Sequence, residues 1–155
     1  MLNQCSKNRK MSKVEDFLTT EDEQEIVEAI RMAEKNTSGE IRVHIEKTTS
    51  LDAYDRAMEV FHELKMDETE LKNGVLIYLA VEDRNFVICG DQGINDVVPN
   101  DFWNATKLVM ANDFQRGKFK QGLIDGILRA GEQLKQYFPY DNDDVNELPN
   151  EISKG

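Results

Sequence analysis

The chain has 155 residues, enough for one domain with a core of its own and short for two. Hydrophobic residues make up 39% and charged ones 32%, with 30 acids against 19 bases and a net charge of −11. That acidity repels phosphate backbones and anionic lipid, which excludes nucleic acid and acidic membranes as partners and leaves cations, basic partners and plain solubility.

The first ten residues carry Lys7, Arg9 and Lys10 and no acid, and they lack the apolar centre of a signal peptide. Residues 1–12 are expected to form a disordered tail, and Met11 is a candidate second start. Thr20 followed by Glu23 reads as a capping box. Ile26, Ala29, Ile30 and Ala33 then recur at helical spacing until Asn36 to Gly39 stops the helix. Strict alternation in 41–46 predicts a strand with one apolar face, from which His44 points away. A second helix is predicted from Leu51 to Lys65, with Tyr54, Ala57, Met58 and Phe61 on its inner stripe.

Residues 66–74 read as a polar loop. The unbroken apolar run from Gly74 to Val81 suits a strand buried on both faces, and it is far too short to cross a bilayer. A turn at 82–85, where Asp83 and Arg84 form a local ion pair, returns the chain as a hairpin strand from Phe86 to Gly90. A long loop, 91–101, precedes helices at 102–115 and 118–137, which Gly117 separates. Residues 141–155, with Asp141, Asp143, Asp144, Glu147 and Glu151, are expected to be an acidic disordered tail.

A double-faced strand needs helices on both sides. The expected fold is therefore α/β, a three-layer α/β/α sandwich with a small mixed central sheet, formed by residues 13–140 as a single domain. The strand–helix–strand unit should be a parallel crossover. Both of its strands then start at one edge of the sheet, and the antiparallel third strand ends there. Glu40, Asp67, Glu70, Asp91, Asp96 and Asp101 gather at that edge, with Glu68, Asn73, Asn95 and Asn100, and Lys72 as the one cation of these stretches. Crowded carboxylates repel one another, and a hard cation such as Ca2+ or Mg2+ relieves that repulsion, with acids enough for two ions. Asp91 and Asp96 lead the candidate ligands, then Asp67 and Glu70, with Glu40 and Asp101 last.

Other chemistry finds little footing. No Gly-x-Ser-x-Gly elbow, Gly-rich phosphate loop, EF-hand spacing or zinc-protease helix is present. Cys5 and Cys89 stand far apart without a nearby histidine, so neither a disulfide framework nor a zinc site is expected, and Cys89 reads as a small buried hydrophobe. His44 and His62 read as structural or surface residues, and Trp103 as core. A reducing cytoplasm and a monomer are the expected setting.

Several short segments together resemble the TPM domain family: Ser38-Gly39-Glu40-Ile41-Arg42-Val43, Asn73-Gly74-Val75-Leu76, Asp83-Arg84, Gly90-Asp91-Gln92-Gly93-Ile94, and Phe114 to Leu123 with Gly117 and Gly122. The resemblance covers about residues 20–138. It implies an α/β/α sandwich, divalent-metal binding as in some members, and a regulatory role with a protein partner not named by the sequence. An acid phosphatase activity on phosphomonoesters is the alternative it implies.

Overall fold

A computed structural model of the chain describes residues 18–140 and 148–155. In chain order the elements are α1 (Thr20–Glu34), β1 (Glu40–Glu46), α2 (Ala53–Glu63), a 3-10 turn (Met66–Glu68), β2 (Gly74–Ala80), β3 (Asn85–Gly90), α3 (Gln92–Asn95), α4 (Asn104–Gln115), α5 (Phe119–Leu134) and β4 (Ser153–Lys154). The four strands form one sheet in the order β3-β2-β1-β4. β1 runs parallel to β2 from Glu40↔Gly74 to Glu46↔Ala80, and β2 runs antiparallel to β3 from Val75↔Gly90 to Ala80↔Asn85.

Side-chain alternation splits the core in two, because successive strand residues face opposite sides of a sheet. Ile41, Val43, Ile45, Val75, Ile77, Leu79 and Ile88 face α1, α4 and α5, where they meet Ile26, Ile30, Met110, Leu123, Ile127 and Leu134. Leu76, Tyr78, Ala80 and Cys89 face the other way, onto Ala57, Val60 and Phe61 of α2 and onto Met66. β2 is buried along its whole length, which explains its unbroken apolar run. The layers are those of the expected three-layer sandwich, thick on one face and a single helix on the other.

Local chemistry sets the element ends. Thr19 caps α1 in a reciprocal box with Asp22, one residue before the Thr20–Glu23 pair that the sequence pattern suggests. Asp52 caps α2 through the Tyr54 and Asp55 amides. Tyr54, expected inward, is 57% exposed, since α2 packs through 57, 60 and 61, a stripe rotated away from it. Asp83 does not serve a local ion pair. Its carboxylate accepts from Thr48 Oγ1 (2.6 Å) and the Thr49 amide (3.0 Å), tying the β1–α2 connection to the hairpin turn. Trp103 stacks edge-to-face on Phe102 and packs on the larger core.

The end of the chain departs from the expected tail. The proposed 1–12 tail, and 141–147 of the acidic one, lie outside the described residues. Residues 148–155, however, lie against the body. Leu148 is buried, Ile152 packs on the larger core, and β4 pairs in parallel with β1 at His44↔Ser153 and Ile45↔Lys154. Composition misleads here because one strand edge and two apolar anchors suffice to order a segment that is otherwise polar.

Gly93 is the residue on which the loop packing turns. A Cβ there would collide with the carbonyls of Leu71 and Lys72, whereas one at Gly117, where φ is +75°, would meet only open space. Gly93→Ala should lower stability to urea by about 1–3 kcal/mol through overpacking, with amide protection lost in both 69–74 and 91–96. Gly117→Ala, measured alongside, should cost about 1 kcal/mol from its backbone angle alone, without that local loss.

Candidate functional site

The three segments predicted to converge do meet, at the edge where β1 and β2 begin and β3 ends. Backbone bonds cross-tie them: the Glu40 amide donates to the Asn73 carbonyl (3.2 Å), Asp91 to Gly74 (2.9 Å) and Gly93 to Lys72 (2.8 Å). Asn73 is buried and bonds through its side chain to Ser38 Oγ (3.4 Å), while its own amide donates to Thr69 Oγ1. The 66–74 stretch, expected as a polar loop, opens with the 3-10 turn at Met66–Glu68 and is anchored by buried Met66 and Thr69. The 91–101 stretch likewise holds α3, pinned by buried Ile94.

The carboxylates themselves spread out over this edge. Asp91 Oδ1 accepts from the Gln92 amide (2.7 Å), and its Oδ2 is buried with no donor among the described residues. Asp96 is exposed and accepts from Gln92 Nε2 (2.7 Å). Asp67 faces His62 Nδ1 at 3.3 Å, and its carbonyl accepts from Lys72 Nζ (2.6 Å). Glu70 and Asp101 are exposed. Glu40 is turned inward, 4% exposed, with Oε1 accepting from the Leu148 amide at 3.1 Å. Among the described residues no three Asp, Glu, His or Cys side chains form a metal-holding group. The topology thus joins the loops, while capping and pairing send their acids in separate directions.

Two titratable features escape a reading of the sequence. Glu34, in the last turn of α1, accepts from the Ile41 amide at the start of β1 (2.9 Å). Burial raises its carboxyl to about 7, against the pull of that hydrogen bond and with a further push from the Glu40 charge. The second feature lies on the α2 face. Arg56 grips Glu46 with Nε on Oε2 (2.9 Å) and Nη2 on Oε1 (3.0 Å), and the Tyr78 hydroxyl donates to the same carboxylate. His44 reaches Glu46 Oε1 through Nε2 (3.2 Å) and Ser153 Oγ through Nδ1 (2.9 Å). Burial alone would raise Glu46, but the hydrogen bonds from Arg56, Tyr78 and His44 outweigh it and hold the carboxyl at about 2. Burial lowers His44, against the pull of Glu46, so a neutral ring donating from Nε2 and accepting at Nδ1 satisfies both contacts. Alternation in β1 hinted that His44 and Glu46 share a face, but not that α2 and β4 bury it. Cys89 is a buried thiol raised to about 11 by desolvation, as fits a packing residue.

A family model described as the TPM domain matches residues 11–133. The BA42 protein from the psychrophilic bacterium Bizionia argentinensis, solved by NMR, is 64% identical, with 93% of this chain and 99% of that one covered at a TM-score of 0.87. The N-terminal domain of a P. gingivalis protein shares the fold at 16% identity, TM-score 0.64, covering 81% of this chain and 83% of that one. The N-terminal domain of the cg2496 protein from Corynebacterium glutamicum does so at 12% identity, TM-score 0.60, covering 89% and 80%. No curated protein matches the chain. Among the described residues no helix is long and apolar enough to cross a membrane.

The perturbed acids give measurable consequences. Glu34 ionises at about 7 when folded and at 4.5 ordinarily, so its contribution is full below pH 4.5 and lost as pH rises through 7. Glu34→Gln keeps the acceptor and cannot ionise. It should match the parent near pH 4 and exceed it by on the order of 1–3 kcal/mol at pH 8 in urea titrations. Arg56→Ala strands the buried Glu46 carboxylate and should cost about 3 kcal/mol at pH 7, with less loss at acid pH as Glu46 protonates.

Proposed function

Because the chain belongs to the TPM domain family, we propose that it acts as a non-catalytic domain binding a divalent cation, calcium or magnesium, whose ion stiffens the 66–74 and 91–101 segments and shapes a surface for a protein partner. One observation carries most of this reading: Asp91 stands where the three segments join, with a carboxylate oxygen screened from solvent and given no donor among the described residues. Such an oxygen favours a cation over remaining bare. Asp96 lies one turn along α3, and Asp67 and Glu70 lie on the facing segment. With no three acidic side chains gathered among the described residues, the shell of a hard ion would be completed by backbone carbonyls and water, which calcium and magnesium both accept.

The phosphatase alternative has weaker support. Phosphate capture needs a cation at the site, and Lys72 directs its ammonium to the Asp67 carbonyl. Arg42 sits half-buried on β1, within reach of the Glu151 charge.

The test is a titration of calcium, then magnesium, into chelator-treated protein, followed by amide resonances and melting. Saturable shifts should be confined to 66–74, 91–101 and the start of β1, with stabilisation approaching about 2.7 kcal/mol at a hundredfold excess over Kd. Asp91→Asn, which keeps the cap acceptor, should abolish the shifts and leave the metal-free fold intact. Unchanged spectra at millimolar ion would reject the reading. Magnesium-dependent hydrolysis of a chromogenic phosphomonoester, lost in Asp91→Asn, would replace it with the enzymatic one.

A further inference from the structure

We propose that the outer edge of β1 is an exchangeable docking site for an extended peptide, filled by the chain's own segment 148–155 and able to accept the same segment from a second copy of the chain. The recognition elements are spaced along that segment. The Leu148 side chain enters the smaller core beside Gly74 and Met66, and its amide donates to Glu40 Oε1 (3.1 Å). Ile152 packs on the larger core across the sheet edge. Ser153 bonds to His44 Nδ1 (2.9 Å), Lys154 Nζ meets Glu23 Oε2 (2.8 Å), and the Gly155 amide donates to the Ile45 carbonyl (2.9 Å). Position 155 is read by shape, because a Cβ there would collide with Glu46 Oε1 and the His44 ring. Apolar, hydroxyl and glycine positions in fixed register with strand pairing are the means by which sheet edges recognise peptides.

Three features favour exchange over a permanent seam. β4 pairs with β1 at two positions, whereas β2 pairs with β1 at seven. The floor beneath the segment is polar: the buried Glu40 carboxylate and His44 imidazole bond directly to it, and water can replace those bonds when it lifts, unlike an apolar interface. Beside the segment, a cavity of about 550 Å³ opens against α1, lined by Glu23, Val27, Arg31 and Ile152 among others, so the segment does not fill its notch. The Ser153–His44–Glu46 order is also that of a nucleophile, base and orienting acid. Here, however, Arg56 and Tyr78 hold Glu46, and the imidazole is engaged on both sides, which makes the relay a lock on β4.

Seven residues, 141–147, link the segment to Tyr140. The segment belongs to the same chain as its site, so the cis copy is favoured, and a trans copy competes only when the cis contacts are weakened. Exchange of one such element between copies is a low-barrier route to a dimer.

Two measurements test this on the full chain. In the intact protein, hydrogen exchange of the Gly155 amide should run at least about 100-fold faster than that of Ile77, because the segment opens without global unfolding. Equal rates would overturn the proposal. In the Leu148→Ser, Gly155→Val double variant, the synthetic octapeptide of residues 148–155 should give saturable shifts confined to Glu40–Glu46, with an apparent affinity at least about 10-fold above that for the intact chain. The same peptide carrying Gly155→Val should not bind. A folded variant that ignores the parent peptide, or binds both peptides alike, would equally overturn it.

Discussion

The parallel pairing of β1 with β2 is the constraint from which the rest of the molecule follows. Seven registered pairs place Glu40 beside Gly74 and send the connection through α2 along one face of the sheet. β2 then has neighbours on both sides and both faces covered, and only an apolar sequence can fill it. Because parallel strands begin at the same edge, the turn before β2 and the residues before β1 are held side by side, and the antiparallel β3 delivers Asp91 to them. The candidate site is therefore a consequence of strand direction, while its particular acids are superimposed on that scaffold.

This explains which parts could be read in advance. The periodicity of Ile26 to Ala33, the alternation of 41–46 and the run at 75–81 each report burial by a neighbouring layer, so element type and the three-layer architecture were legible. The meeting of the loops was legible as well, since it requires only strand order and direction. What could not be read was the use of individual side chains. Whether an aspartate aims at a shared ion or at the nearest amide depends on local backbone geometry: Asp91 caps α3, Asp52 caps α2, and Asp83 holds Thr48 and Thr49. Glu34 was invisible because its partner is a backbone amide seven residues away.

The segment 148–155 shows the same limit from the other side. Pro149, Asn150 and Glu151 give it the composition of a solvated tail, and a compositional rule averages over the anchors at 148 and 152. Strand edges offer a row of backbone groups to any chain in register. At the edge of β1, a serine opposite His44 and a glycine beside Glu46 convert that general affinity into a specific fit.

The molecule's acidity then takes on a structural logic. An excess of carboxylates is tolerable when each meets a donor or water, and here they do so in different ways. Glu46 is neutralised by a bidentate arginine, the raised Glu34 remains partly protonated near neutrality, and Glu40 lies beneath the amide of Leu148. Glu40 also joins the two halves of the molecule's surface chemistry, because it begins the strand whose outer edge receives segment 148–155 and borders the turn that receives Asp91. A change in charge at the loop junction would act on Glu40, and through it on the Leu148 amide. The proposed ion binding beside the start of β1 and the proposed peptide docking along its outer edge would then be linked through a single carboxylate.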